Sequence, residues 1–184
     1  MVNTPQAQAV GFGYAVAMSG DTVVIGTPEE DSSATTINGD GSDDSAPGAG
    51  AAYVFVYESG VWTEQAYLKA NNSQGSISEG GDTFGWSVAI SGNTIVVGTP
   101  NEDSAASTID GDGSNNDAKD AGAAYVFVRN GATWTQQAYL KAANSGANDW
   151  FGYAVAIDGD TVLVGAPGEA STATGVNGNG ADDS

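Results

Sequence analysis

The sequence contains neither cysteine nor histidine. Thiol nucleophiles, serine–histidine pairs, histidine proton shuttles and the usual zinc sites are therefore excluded. The lack of cysteine leaves the compartment open, because exported proteins need not carry disulfides. Cationic side chains are nearly as scarce, with 4 Lys and Arg against 23 Asp and Glu, a net charge of -19. Lys69, Lys119, Arg129 and Lys141 are scattered along the chain. Phosphate recognition needs clustered Lys and Arg, so nucleic acid and anionic lipid are not expected partners. No apolar run reaches the ~18 residues of a membrane span, so no direct membrane insertion is expected. The opening MVNTPQAQAV lacks the basic and apolar regions of a secretory signal. Either the protein stays inside the cell, or this chain lacks its true start. The acidity itself suits solubility in a salty medium or the binding of cations.

What the sequence does have is repetition. FGYAVAMSGDTVVIGTP (Phe12 to Pro28) returns as FGWSVAISGNTIVVGTP (Phe84 to Pro100) and as FGYAVAIDGDTVLVGAP (Phe151 to Pro167). GAGAAYVFVYESGVWTEQAYLKA (Gly48 to Ala70) returns as DAGAAYVFVRNGATWTQQAYLKA (Asp120 to Ala142). The intervening linkers, 71–83 and 143–150, differ in length, as surface loops tolerate. Each copy reads as four short strands. Phe12 to Met18 is the first, and a Ser-Gly-Asp turn follows it. Thr22 to Gly26 is a continuous apolar run, expected to be buried on both faces. Ala51 to Val56 is the third strand, and Val61 to Leu68, more alternating, is an outer, half-exposed one. No segment carries a helical apolar period, so no helix is expected.

Four antiparallel strands repeated at this length predict an all-β fold, a partial β-propeller of four-stranded antiparallel blades. Blade 1 is placed at 12–70, blade 2 at 84–142, and the first half of a third at 151–184. Residues 1–11 are a leading segment. Trp62 with Trp134, and Tyr67 with Tyr139, hold equivalent positions and are expected to pack between neighbouring blades.

The paired FG (Phe12-Gly13, Phe84-Gly85, Phe151-Gly152) and G(T/A)P (Gly26 to Pro28, Gly98 to Pro100, Gly165 to Pro167) carry a family resemblance. The chain resembles the FG-GAP repeat of integrin alpha-type propellers, and more closely the long-loop FG-GAP proteins of bacterial surface and secreted chains. The resemblance implies an exported or cell-surface, adhesive protein. It also implies a calcium loop between the FG and GAP strands. Here that position holds only SGDT, SGNT and DGDT. These tight turns cannot supply the about six to eight oxygens calcium takes, so the family's metal site does not transfer.

The oxygen-rich stretch lies after the GAP instead, in Glu29 to Ser45 and Asn101 to Asp117. Asn38, Asp40, Ser42 and Asp44 alternate with other residues, as do Asp110, Asp112, Ser114 and Asn116. Alternating oxygen side chains around glycines can wrap one hard cation, Ca2+ above all. Glu30-Asp31 and Glu102-Asp103 would complete the shell. No downstream bidentate Glu is present, which excludes an EF-hand. The competing reading is a solvated turn rich in Asp, Asn and Gly.

The expected function is a non-catalytic interaction or adhesion module with an unidentified protein or glycan ligand. A purely structural spacer is the alternative, favoured by the near-identity of the loops in copies one and two. A glycan-active enzyme would need two unlike carboxylates in one cleft, and none stands out. Propellers close with about four to eight blades. Two blades and a hairpin are therefore expected to be completed by the remaining blades of a longer chain or by self-assembly.

Overall fold

The computed structural model describes residues 11–75, 80–172 and 180. Segment 1–10, part of the first linker (76–79) and most of the third long loop (173–179, 181–184) lie outside the described residues. The described residues are all-β. Blade 1 holds β1 (Ala15–Ser19), β2 (Thr22–Thr27), β3 (Ala51–Glu58) and β4 (Val61–Leu68). Blade 2 repeats it with β5 (Ser87–Ser91), β6 (Thr94–Thr99), β7 (Ala123–Asn130) and β8 (Thr133–Leu140). A hairpin of β9 (Ala154–Asp158) and β10 (Thr161–Gly165) follows. Strands pair antiparallel in sequence order within each blade.

The blades stack through their inner strands, β5 against β1 and β2, and β9 against β5 and β6. Ile90, Ile95 and Val97 of blade 2 join Val24, Val54 and Leu68 of blade 1 in one apolar cluster. The hairpin's Val155, Ile157, Val162 and Val164 pack on Val96 and Val126 of blade 2. Removing this apolar surface from water is the main stabilising term, about 25 cal/mol per Å².

The glycines of the repeat make that approach possible. A Cβ on Gly26 would stand 2.0 Å from the carbonyl oxygen of Gly85, so the GAP glycine of one blade receives the FG glycine of the next. Gly85 has φ 93° and itself lies against the Ala51 carbonyl. Parallel bridges from Gly50 to Phe84 and from Gly122 to Phe151 fasten the same seam.

Two expectations need refinement. The continuous apolar second strand is buried on both faces in β6, but alternate residues of β2 are only half-buried. A strand of this kind is covered fully only between two blades. β4 does not alternate: its first half is exposed and its second half is buried. A bulge interrupts the strand, where pairing shifts between Val54 and Phe55 and skips Gln65; β8 carries the same bulge and keeps its alternation, so the bulge alone does not account for the change.

Candidate functional site

Up-and-down pairing puts every long connection at one end of the blades. The β1–β2 and β3–β4 turns are tight, whereas the β2–β3 loop (28–50) and the blade linker (69–86) both leave from the opposite end. The β6–β7 loop (100–122) joins them there.

The β2–β3 and β6–β7 loops are each anchored by a buried ion pair. Lys69 Nζ donates to Glu30 Oε2 at 2.9 Å and to the Ser32 carbonyl at 2.9 Å. Tyr67 Oη donates to Glu30 Oε1 at 2.6 Å and accepts from Ser32 Oγ at 2.6 Å. Blade 2 repeats the group with Lys141, Glu102, Tyr139 and Ser104, at 2.8 Å for both the ion pair and the tyrosine bond. Both lysine side chains are fully buried. Burial lowers the Lys69 ammonium from its ordinary value, and Glu30 opposes that shift. Burial and the Glu30 charge push the Tyr67 phenol well up. A buried charge this well bonded fixes geometry, and removing one partner would be costly. Glu30 and Glu102 are thus engaged by lysine. Asp31 and Asp103 accept from the backbone N–H groups of Gly48 (2.8 Å) and Asp120 (2.7 Å), which closes each loop at its base.

The candidate cation ligands sit further out. Asn38 and Asp110 adopt left-handed backbone, φ 56° and 54°. Each clamps the loop to the outer strand. Asn38 Oδ1 accepts from Tyr67 N at 2.9 Å, and Asp110 Oδ1 accepts from Tyr139 N at 2.8 Å. Asp40 Oδ1 accepts from Ser42 N at 2.9 Å, and Asp112 Oδ1 accepts from both Ser114 N and Oγ, at 3.0 and 2.6 Å. These serine bonds hold the Asp40 and Asp112 carboxyls below their ordinary range. Asp44 is exposed. Asn116 exchanges two amide bonds with Gln74 of the linker, at 2.8 and 3.2 Å.

Asp43, absent from the candidate set, accepts from Ser33 and Ser45, which hold its carboxyl down at about 2, the Ser45 bonds most strongly. In blade 2 the neutral Asn115 takes its place, accepting from Ala105 N at 2.9 Å. Carboxylate and amide therefore interchange at 43/115 and at 38/110. An acceptor oxygen is needed there, not a charge. Among the described residues no three carboxylates converge on one point. A calcium shell in these loops would draw on the second oxygens of Asp40, Asp110 and Asp112, on Asp44, and on backbone and water oxygens.

Asn72 couples the blades beneath the loops. Its Nδ2 donates to Glu102 Oε1 (3.1 Å) and to the Gly113 carbonyl (3.0 Å), while its Oδ1 accepts from Tyr125 Oη (2.6 Å). Asn144 bonds Glu169 and the Gly180 carbonyl in the same manner. Asn71, Asn72, Asp112 and Gln136 line a polar cleft of about 350 Å³ at this seam. Below it Asp82 is buried, accepting from Gln74 N at 2.8 Å. Burial pushes its carboxyl up to about 8, with Glu102 and Asp103 adding to the shift.

Three successive segments, 6–55, 62–127 and 134–181, match the FG-GAP repeat. The chain belongs to the FG-GAP repeat family. No curated protein matches it. The second and third FG-GAP segments each begin on the outer strand of one sheet, at Trp62 and Trp134. The second ends on the third strand of the next sheet, at Phe127. The family's repeat unit thus straddles a blade junction.

The aromatics divide accordingly. Trp134 does pack between blades, donating to Gln65 Oε1 at 2.9 Å beneath Arg129, whose guanidinium lies 5.1 Å from its ring. Tyr67 and Tyr139 instead lock their own blade's loop. Sequence reasoning missed the Lys–Glu anchors, although a signal was present. In a chain with four cations, two stand at the same repeat position, in the twice-written AYLKA, and the twice-written EDS supplies their partners.

Proposed function

We propose that this chain is a non-catalytic interaction module of an exported or cell-surface bacterial protein, presenting its long loops to a protein or glycan ligand. The single observation that carries this reading is the gathering of the long connections at one end of the blades, with the β2–β3 and β6–β7 loops each mounted on a buried Lys–Glu–Tyr anchor. Loops held by a rigid scaffold are where binding groups concentrate. The lining of the seam cleft includes no basic group, which suits a neutral or cationic partner rather than an anionic one.

The spacer reading is favoured by one observation. The loops of blades 1 and 2 repeat each other's turn contacts almost residue for residue, at Asp40/Asp112 and Asn38/Asp110. Glycan and matrix-protein arrays, probed with the chain and with a variant whose 33–45 and 105–117 segments are Gly-Ser, separate the two. Specific capture lost in the variant supports the module; no capture by either supports the spacer.

Calcium stabilisation is part of the proposal. It would act by mass action on the folded state, with an affinity near the 0.1–1 mM expected of extracellular sites, ~0.1 mM at best. Melting temperature should rise with calcium, fall with chelator and respond less to magnesium. Asp110→Asn with Asp112→Asn should remove most of the response. A melt indifferent to calcium leaves these loops as solvated turns.

A further inference from the structure

Blade 2 buries one face against blade 1, and blade 1 carries the same face with nothing among the described residues packed on it. Met18 is 68% exposed where its equivalent Ile90 is 9%. Val16 and Phe12 are exposed beside it. The receiving face is open at the other end of the molecule. Leu163, on the β9–β10 hairpin, is 71% exposed, whereas its equivalents Val24 and Val96 are 0%. One chain therefore presents both halves of an interface that it forms twice internally.

We propose that the open face of blade 1 docks on the open face of the β9–β10 hairpin of a second copy of this chain, head to tail. Three observations specify the contact. First, the internal junctions run through inner strands, and among the described residues β9–β10 packs on blade 2 as a two-stranded sheet, so two strands suffice to make one. Second, an aromatic row steps from blade to blade, Tyr14 to Trp86 at 4.8 Å and Trp86 to Tyr153 at 5.5 Å. Tyr14 of a second copy continues it beyond Tyr153. Third, a hydrogen bond steps with it, from Gly92 N to Ser19 Oγ and from Gly159 N to Ser91 Oγ. The next acceptor in that series is the Asp158 carboxylate, facing Gly20 N of the second copy. A carboxylate accepts this bond more strongly than a hydroxyl.

The contact is heterologous, so each dimer keeps one open face at either end and growth continues unless a ring closes. Each copy carries a net charge of -19. Mutual repulsion therefore opposes association, and salt should strengthen it by screening.

Sedimentation velocity on the full chain tests this. The wild-type chain should associate with increasing concentration, and more at high salt than at low. Met18→Asp blocks one face and Leu163→Asp the other. Each alone should be monomeric, its self-association weakened at least about 100-fold by carrying a carboxylate into an apolar contact. Mixed together they should form one-to-one dimers and nothing larger, because each retains the face the other needs. Both substitutions fall at exposed positions, and an unchanged melting temperature confirms that the variants fold. A wild-type chain monomeric at every concentration and salt overturns the proposal. So does a wild type that associates while the mixture stays monomeric, which would place the contact elsewhere.

Discussion

Gly98 and Gly165 hold the same place in successive copies, yet one sits at a blade junction and the other at an open end. A Cβ on Gly98 would stand 2.0 Å from the Gly152 carbonyl oxygen; on Gly165 it would meet nothing closer than Ala154, at 3.7 Å. The FG glycines divide in the same way. Gly152 is pressed against the Ala123 carbonyl, whereas Gly13 has nothing within 4 Å, although their φ values are 93° and 88°. The motif's backbone contacts are therefore tight only where a neighbouring blade stands against it, although Ser87 Oγ of the same blade also lies 2.2 Å from a Cβ on Gly98. A repeat that cannot bury its faces alone stores part of its fold in the next copy.

The largest effect should separate these two glycines. Gly98→Ala forces backbone apart at a seam that cannot give, and should cost about 4 kcal/mol or abolish folding. Gly165→Ala, in strand geometry with open space, should change stability by less than about 1 kcal/mol. Urea denaturation of the two variants measures the difference. Equal costs would mean that the motif glycine acts within its own blade.

The buried anchors sharpen the same contrast. Lys141→Met leaves Glu102 charged and unpaired in the interior, at about 3–5 kcal/mol. Adding Glu102→Gln should recover part of that loss, since the stranded charge is gone. Glu169 occupies the equivalent place in the third copy and is only half-buried. Asn144 bonds it, but no lysine among the described residues does. Glu169→Gln should therefore cost under about 1 kcal/mol. A double-mutant cycle at 102/141 with a coupling energy near zero would remove the anchor from the account.

How much of this was legible in the chain follows from range. The strands were, because TVVIG and AAYVFV carry their signal locally in β-branched and apolar runs. The grouping of the strands in fours followed from the repeat itself. The Lys69–Glu30 pair was not, since its partners lie 39 positions apart and each alone reads as a surface charge. The 38–44 and 110–116 segments read equally as ligands and as turns. The same Asp, Asn and Ser oxygens serve both purposes, and only their backbone partners separate the two. Asn72 gave no signal, because an asparagine after a strand is ordinary turn chemistry until the next blade is placed against it.

The junction between blades 1 and 2 also differs from the open ends in its response to pH. Asp82, buried there, has its carboxyl pushed up to about 8. Unfolded, it returns to about 4. Between those values the folded state holds a proton that the unfolded state has lost, so stability falls as pH rises from about 4 to about 8. The slope is at most about 1.4 kcal/mol per pH unit for one group. The lowered carboxyl of Asp43 acts in the opposite sense, and only below about 4. These two groups together should therefore place the stability maximum at about pH 4. Asp82→Asn should flatten the decline, removing about 3.5 kcal/mol of difference between pH 5 and pH 8. A wild-type profile flat across that window would place Asp82 ionised in the folded protein.

The smallest effect should come from the tryptophans, and it isolates burial from identity. Trp62 and Trp134 occupy the same register position, opposite Tyr57 and Arg129 respectively. Trp62 is 49% exposed and Trp134 3%. The difference has one source. Trp134 faces blade 1, where Gln65 accepts its indole N–H, and Arg129 spans the seam to Thr22 at 3.0 Å and Gln65 at 3.1 Å. No blade among the described residues stands in that relation to Trp62. Trp134→Ala opens a cavity and leaves Gln65 Oε1 with the Arg129 bond alone, at about 3 kcal/mol. Trp62→Ala removes one ring contact, with Tyr57 at 5.2 Å, and should cost no more than about 0.5 kcal/mol. If a second copy covers blade 1 through its inner strands alone, as proposed, Trp62→Ala should leave association intact as well. A cost at Trp62 that rises with protein concentration would mean that the outer strand is covered too, and that the docking face is wider than the hairpin it meets.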